Sequence, residues 1–148
     1  MSYYRLGKTT KELELLLQEF PKSRLVSDVY WKLGANAFNQ KDYSQAHKYF
    51  GKIILNFPES TQANQAFYYD AESYYLEKNY AQAVKAYQNF LQNFSKDENA
   101  SQSKFRLGIS YFNIKAYSQS IVVFNDFIEL YPDHPLTKDA FLNNPACN

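Results

Sequence analysis

The chain has 148 residues, of which 45% are hydrophobic, 18% aromatic and 21% charged, with a formal net charge of +1. That balance fits a single soluble domain with a sizeable core, and 16 basic against 15 acidic residues leave no surplus to neutralise phosphates, so nucleic acid is not an expected partner. No apolar run is long enough to cross a bilayer, so no membrane insertion by this segment is expected, and the single Cys147 rules out an internal disulfide or a Cys-rich metal site.

The chain repeats itself at a 37-residue interval. Lys41–Phe50 (KDYSQAHKYF), Lys78–Tyr87 (KNYAQAVKAY) and Lys115–Phe124 (KAYSQSIVVF) are successive copies. Pro21, Pro58, Ser95 and Pro132 fall in the same register, each directly after an aromatic residue. A period of this size is the mark of stacked supersecondary units. Within a unit, Tyr30, Leu33, Gly34, Ala37 and Phe38 recur at three-and-four spacing, then Ala46, Phe50, Ile53 and Phe57 do the same. Both are stripes of amphipathic helices, and the alternation typical of strands is absent.

In chain order the pattern predicts a helix over 8–19, then helices near 23–40, 44–56, 60–77, 81–93, 98–114 and 118–130. A last one over 135–143 has Pro135 at an early helical position. The corners at Lys41-Asp42-Tyr43 and their copies join the helices of each unit, with Tyr43, Tyr80 and Tyr117 expected to bury their rings there. The second helix stops at an aromatic followed by Pro, which cannot continue it. One domain over 1–148 results: a second helix of a partial unit over 1–20, units over 21–57, 58–94 and 95–131, and the start of a further unit or capping helix over 132–148. A lone helix pair cannot cover its apolar face, so stacking must bury a continuous core.

These residues resemble the tetratricopeptide (TPR) repeat. Its Leu-Gly, Tyr, Ala, Phe and Pro pattern is met by Leu33-Gly34, Ala46, Phe50 and Pro58, and again by Leu107-Gly108, Tyr111, Phe124 and Pro132. The usual period is 34 residues, and the longer form here, with phrases such as FPES and YWKLG, resembles bacterial envelope TPR proteins. Two groups share it: the periplasmic coordinator of cell division associated with Tol-Pal, and the lipoprotein of the outer-membrane assembly machine. The resemblance implies an all-α, right-handed α-solenoid that binds proteins without catalysis, in the periplasm or at the outer membrane if the chain is part of a longer envelope protein and otherwise in the cytoplasm. It also implies that first helices line a concave groove.

On those helices, Trp31, Tyr68 and Phe105 occupy one register position, and Phe38, Tyr75 and Phe112 another, seven residues on. Seven residues are about two turns, so two aromatic rows would share one face. Asp28, Lys32, Tyr69, Glu72, Arg106 and Ile109 stand among them as the remaining candidates for contact with a partner. Burial is expected for the second row, while for Trp31, Tyr68 and Phe105 both burial and partial exposure are open. The positions at which some TPR domains clamp a C-terminal carboxylate hold Trp31, Ala35, Tyr69, Gln102 and Arg106, so only Arg106 matches that use. A spacer within a longer solenoid and a small-ligand or glycan binder are the alternative functions. Neither His47, in register with Val84 and Ile121, nor His134 has partners for acid–base work or metal-ligand spacing, so no enzyme activity and no cofactor are expected. Asp70 stands where the other copies have Leu33 and Leu107. A local hydrogen-bonding partner is expected for it, or else an acidic spot formed with Glu72.

Overall fold

The computed structural model describes residues 14, 15, 18, 19 and 24–147. Among them are seven α-helices and no strand. They are α1 (Arg24–Asn39), α2 (Tyr43–Asn56), α3 (Ala63–Leu76), α4 (Tyr80–Asn93), α5 (Ala100–Asn113), α6 (Tyr117–Leu130) and α7 (Thr137–Asn143), followed by a short 3-10 turn at Pro145–Cys147. The helix expected over 8–19 lies for the most part outside the described residues; Glu14, Leu15, Gln18 and Glu19 are helical.

Each helix packs mainly on its neighbours in sequence, which is the arrangement of a helix-pair solenoid. The pairs close tightly because a glycine or alanine of the first helix meets a large ring of the second. A Cβ on Gly34 would lie 2.6 Å from Phe50 Cε1, and one on Gly108 2.7 Å from Phe124 Cε1. Both rings are fully buried, as is Tyr87 in the middle copy opposite Ala71.

The corners repeat in backbone as well as in sequence. Lys41, Lys78 and Lys115 adopt left-handed φ values of 63°, 64° and 65°. The two residues closing each first helix donate back to it: Lys41 to the Phe38 carbonyl and Asp42 to that of Ala37, both at 2.9 Å, a double bond pattern that needs a left-handed residue. The second helix then begins on a side-chain cap, Asp42 accepting from the Gln45 N–H and Asn79 from that of Gln82. The third copy has Ala116 and no such bond. Ala116→Asp is therefore expected to stabilise the protein by about 1 kcal/mol, read by chemical denaturation near neutral pH.

The corner tyrosines are less covered than the sequence suggests. Tyr43, Tyr80 and Tyr117 pack edge-on against Phe38, Tyr75 and Phe112 at 5.4, 5.7 and 5.3 Å, and Tyr117 remains 46% exposed.

Three predicted helix starts are too early. Helices expected from 60 and 98 begin at Ala63 and Ala100 because two successive turns intervene, as in Ser60 N–H to Phe57 and Ala63 N–H to Ser60. The same pair of turns delays the helix expected from Pro135 to Thr137. These longer loops are clamped to the first helix of the preceding pair. Asn64 Nδ2 donates to Asp97 Oδ2 at 2.8 Å, and one unit later Ser101 Oγ and His134 Nε2 are 3.1 Å apart. His134 Nδ1 accepts from the Leu136 N–H, so the imidazole holds a loop rather than facing solvent.

Candidate partner-binding face

The first helices α1, α3 and α5 carry the aromatic rows, and the 37-residue register lets their three copies be compared position by position. In the first copy, Trp31 packs on Phe50 at 5.5 Å and on Tyr69 of α3 at 5.9 Å. Tyr69 also meets Phe38 edge-on at 5.1 Å. Ala35 lies between Trp31 and Phe38 and projects only a methyl group. The result is an open cleft of about 200 Å³ between α1 and α3, lined by Trp31, Ala35, Phe38, Asn39, Phe50 and Tyr69.

In the second copy Glu72 takes the place of Ala35, and Arg106 that of Tyr69. Glu72 is buried, 6% exposed, and accepts a short hydrogen bond from the Tyr87 hydroxyl. Arg106 Nη1 lies 3.0 Å from Glu72 Oε2, an ion pair not aligned for a hydrogen bond, and its guanidinium sits 4.6 Å over the Tyr75 ring. Burial pushes the Glu72 carboxyl above the usual carboxylate range, and Tyr87, Arg106 and Tyr68 offset part of that. Burial and the neighbouring Glu72 carboxylate likewise push the Tyr68 and Tyr87 hydroxyls up, so both act as neutral donors. The pair ties α3, α4 and α5 together at this face.

In the third copy Ile109 takes the same position and packs with Phe105 against buried Phe124, Phe127 and Ala140.

The structure thus brings Trp31, Phe38 and Tyr69 into one cleft, and Tyr68, Glu72, Tyr75 and Arg106 into one network. Phe105, Ile109 and Phe112 form the third copy. Lys32, on α1, is exposed. Asp28 stands apart, hydrogen-bonded by the Gln62 amide in a recess with Ser27, Glu59, Ser60 and Thr61.

The first row, left open between burial and exposure, divides. Tyr68 is buried, at 5% exposure, whereas Trp31 and Phe105 are half-buried. The second row, expected in the core, is only half-buried at Phe38 and Tyr75, and Phe112 is 43% exposed. Phe38 is covered by Tyr69 and Tyr75 by Arg106, but the matching position beyond Phe112 is Asn143, whose amide turns back to the Asp139 carbonyl. Ala35, Asn39 and Phe50 were not singled out as cleft residues. The available signal was the variation Ala35, Glu72, Ile109 at one register position.

His47 stacks on Tyr74 at 4.4 Å with Nε2 3.4 Å from Glu77 Oε2, so it packs one helix pair on the next. Asp70 has no hydrogen bond or ion pair among the described residues, contrary to the local partner expected for it. No acidic spot with Glu72 forms either. Two residues apart on a helix, the side chains point to different sides, and Glu72 is engaged by Tyr87 and Arg106. Among the described residues no group of three or more His, Cys, Asp or Glu could hold a metal ion, and no helix is long and apolar enough to cross a membrane.

Paired helices in 37-residue register, left-handed corners and glycine-on-ring packing define a solenoid of the tetratricopeptide type. Residues 28–60 match the tetratricopeptide repeat, in agreement. Residues 67–142, just over half of the chain, match the outer membrane lipoprotein family YfiO, and the chain belongs to that family. No curated protein matches it.

Proposed function

We propose that the chain is a non-enzymatic interaction scaffold of the bacterial cell envelope, which holds a peptide segment of a partner protein along the face of α1, α3 and α5. The observation that carries this reading is the half-open aromatic face: Trp31 keeps surface uncovered at an open cleft between α1 and α3, Phe105 and Phe112 keep surface uncovered on α5, and aromatic anchors set in pockets dominate binding energy at protein interfaces. Its match to the outer membrane lipoprotein family supports the envelope. The mixed charges of the face suit a partner without strong charge of either sign. A small-ligand or glycan site is less well supported, because about 200 Å³ is below the ~300 Å³ at which pockets for such ligands begin.

The test is capture from an envelope extract and on a peptide array. Trp31→Ala and Phe112→Ala are expected to lose capture at least tenfold, with melting curves recorded alongside. Val122→Ala, on the exposed side of α6, serves as control. Equal capture by folded Phe112→Ala, Trp31→Ala and wild type would remove the support for this face.

A further inference from the structure

The three copies of the first-helix position Ala35, Glu72 and Ile109 show what belongs in the space between consecutive pairs. In the third copy an isoleucine fills it, packed with Phe105 on Phe124 and Phe127. In the second, Glu72 occupies it and Arg106 lies across the opening. In the first, Ala35 leaves it open, with the same walls preserved: Trp31 for Phe105, Phe50 for Phe124, Phe38 for Phe112. We infer that this cleft is a socket for one branched aliphatic side chain, leucine, isoleucine or valine, supplied by the peptide partner. The inference rests on the groove reading above and names what that groove selects.

Three observations fix the occupant. The first is Ile109 itself, which is the group that the chain places in the equivalent space. The second is charge. None of the six lining residues carries one, whereas the neighbouring copy accommodates a carboxylate only by supplying Arg106 and two tyrosine hydroxyls. A charged side chain entering the first cleft would lose water and gain no counter-charge, and the rings alone are a weak substitute at a partly open site. The third is size, since about 200 Å³ suits one side chain rather than an extended ligand. At the lip, the exposed Asn39 amide has no hydrogen bond among the described residues, and it offers both a donor and an acceptor to a peptide main chain.

Trp31 is the only tryptophan and lines the socket, so it reports directly on occupancy. Wild-type protein is titrated with N-acetyl-leucinamide, N-acetyl-lysinamide and N-acetyl-phenylalaninamide, reading Trp31 fluorescence and amide chemical shifts of α1 and α3. A saturable response to the leucine probe is expected, in the millimolar range for so small a ligand, with the lysine and phenylalanine probes at least fivefold weaker. Ala35→Ile should abolish the response and hold or raise the melting temperature, because it installs the residue of the third copy. If that variant fails to fold, Ala35→Val is read in its place and should weaken the response. Equal or tighter binding of the lysine or phenylalanine probe would overturn the inference, as would an unchanged response in the folded Ala35 variant. An array peptide that binds wild type and Ala35→Ile alike but loses affinity in Phe112→Ala overturns the socket and leaves the groove standing. A peptide bound alike by all three instead counts against the groove, and the leucine titration still decides the socket.

Discussion

Replacing Arg106 by Met is expected to destabilise the protein by about 2–3 kcal/mol at neutral pH, measured by chemical denaturation. Removing one member of a buried ion pair strands the other charge, which typically costs about 3–5 kcal/mol. The lower figure applies because Glu72 keeps the Tyr87 hydroxyl and Arg106 is itself a quarter exposed. The sign of the pH dependence follows. Burial already holds the Glu72 carboxyl above its ordinary range, and Arg106 is one of the groups that lower it. Without Arg106 it rises further, the folded state binds a proton more readily than the unfolded one, and stability falls as pH rises through that range. The deficit of Arg106→Met should therefore shrink on acidification. Glu72→Gln in the same protein should recover most of the loss at neutral pH, because the amide oxygen still accepts from Tyr87 and no charge is left buried. A deficit that is independent of pH and unrelieved by Glu72→Gln would mean that Arg106 acts through packing on Tyr75 and not through Glu72.

How much of this could be read from the sequence depends on what each residue faces. Helix pairing and its register were legible, since Phe50, Tyr87 and Phe124 recur opposite Gly34, Ala71 and Gly108, and at the two glycines a Cβ would already lie 2.6 and 2.7 Å from the ring. Helix starts after the Pro positions were not. The two turns that delay them depend on loop-to-helix bonds such as Asn64 to Asp97, between residues 33 apart. Nor was the exposure of the aromatic rows. Whether Phe38, Tyr75 or Phe112 is covered is set by the residue one unit further on, respectively Tyr69, Arg106 and Asn143, and only the first two reach back. Candidate residues chosen by type and register on the three first helices therefore separated in three dimensions into a cleft, an ion-pair network and a loop recess at Asp28.

Asp70→Leu is expected to stabilise the protein, and by more at pH 8 than at pH 4. Burial pushes the Asp70 carboxyl up to about 7 from 3.8, with no hydrogen bond or counter-ion among the described residues to oppose it. Between those values the folded state holds a proton that the unfolded state releases, so folding becomes less favourable as pH rises from about 4 to about 7 and then levels off. The full shift corresponds to roughly 4 kcal/mol at about 1.36 kcal/mol per pH unit. The carboxylate is only half-buried and keeps some water, so about 2–3 kcal/mol is the expected gain above pH 7. Leu107, one unit later, shows what a leucine finds there: it is buried among Ala71, Ala83, Val84 and Tyr87. In register, Val84 corresponds to His47, so the interface that carries Asp70 replaced both members of an apolar pair with polar ones. Asp70→Asn separates the two contributions, since it removes the titration without adding a leucine's packing. It should flatten the stability-versus-pH curve between about 4 and 7, and Asp70→Leu should do the same with a further gain at every pH. If wild type shows no slope in that window beyond that of Asp70→Asn, the carboxylate is better solvated than its position between helix pairs implies.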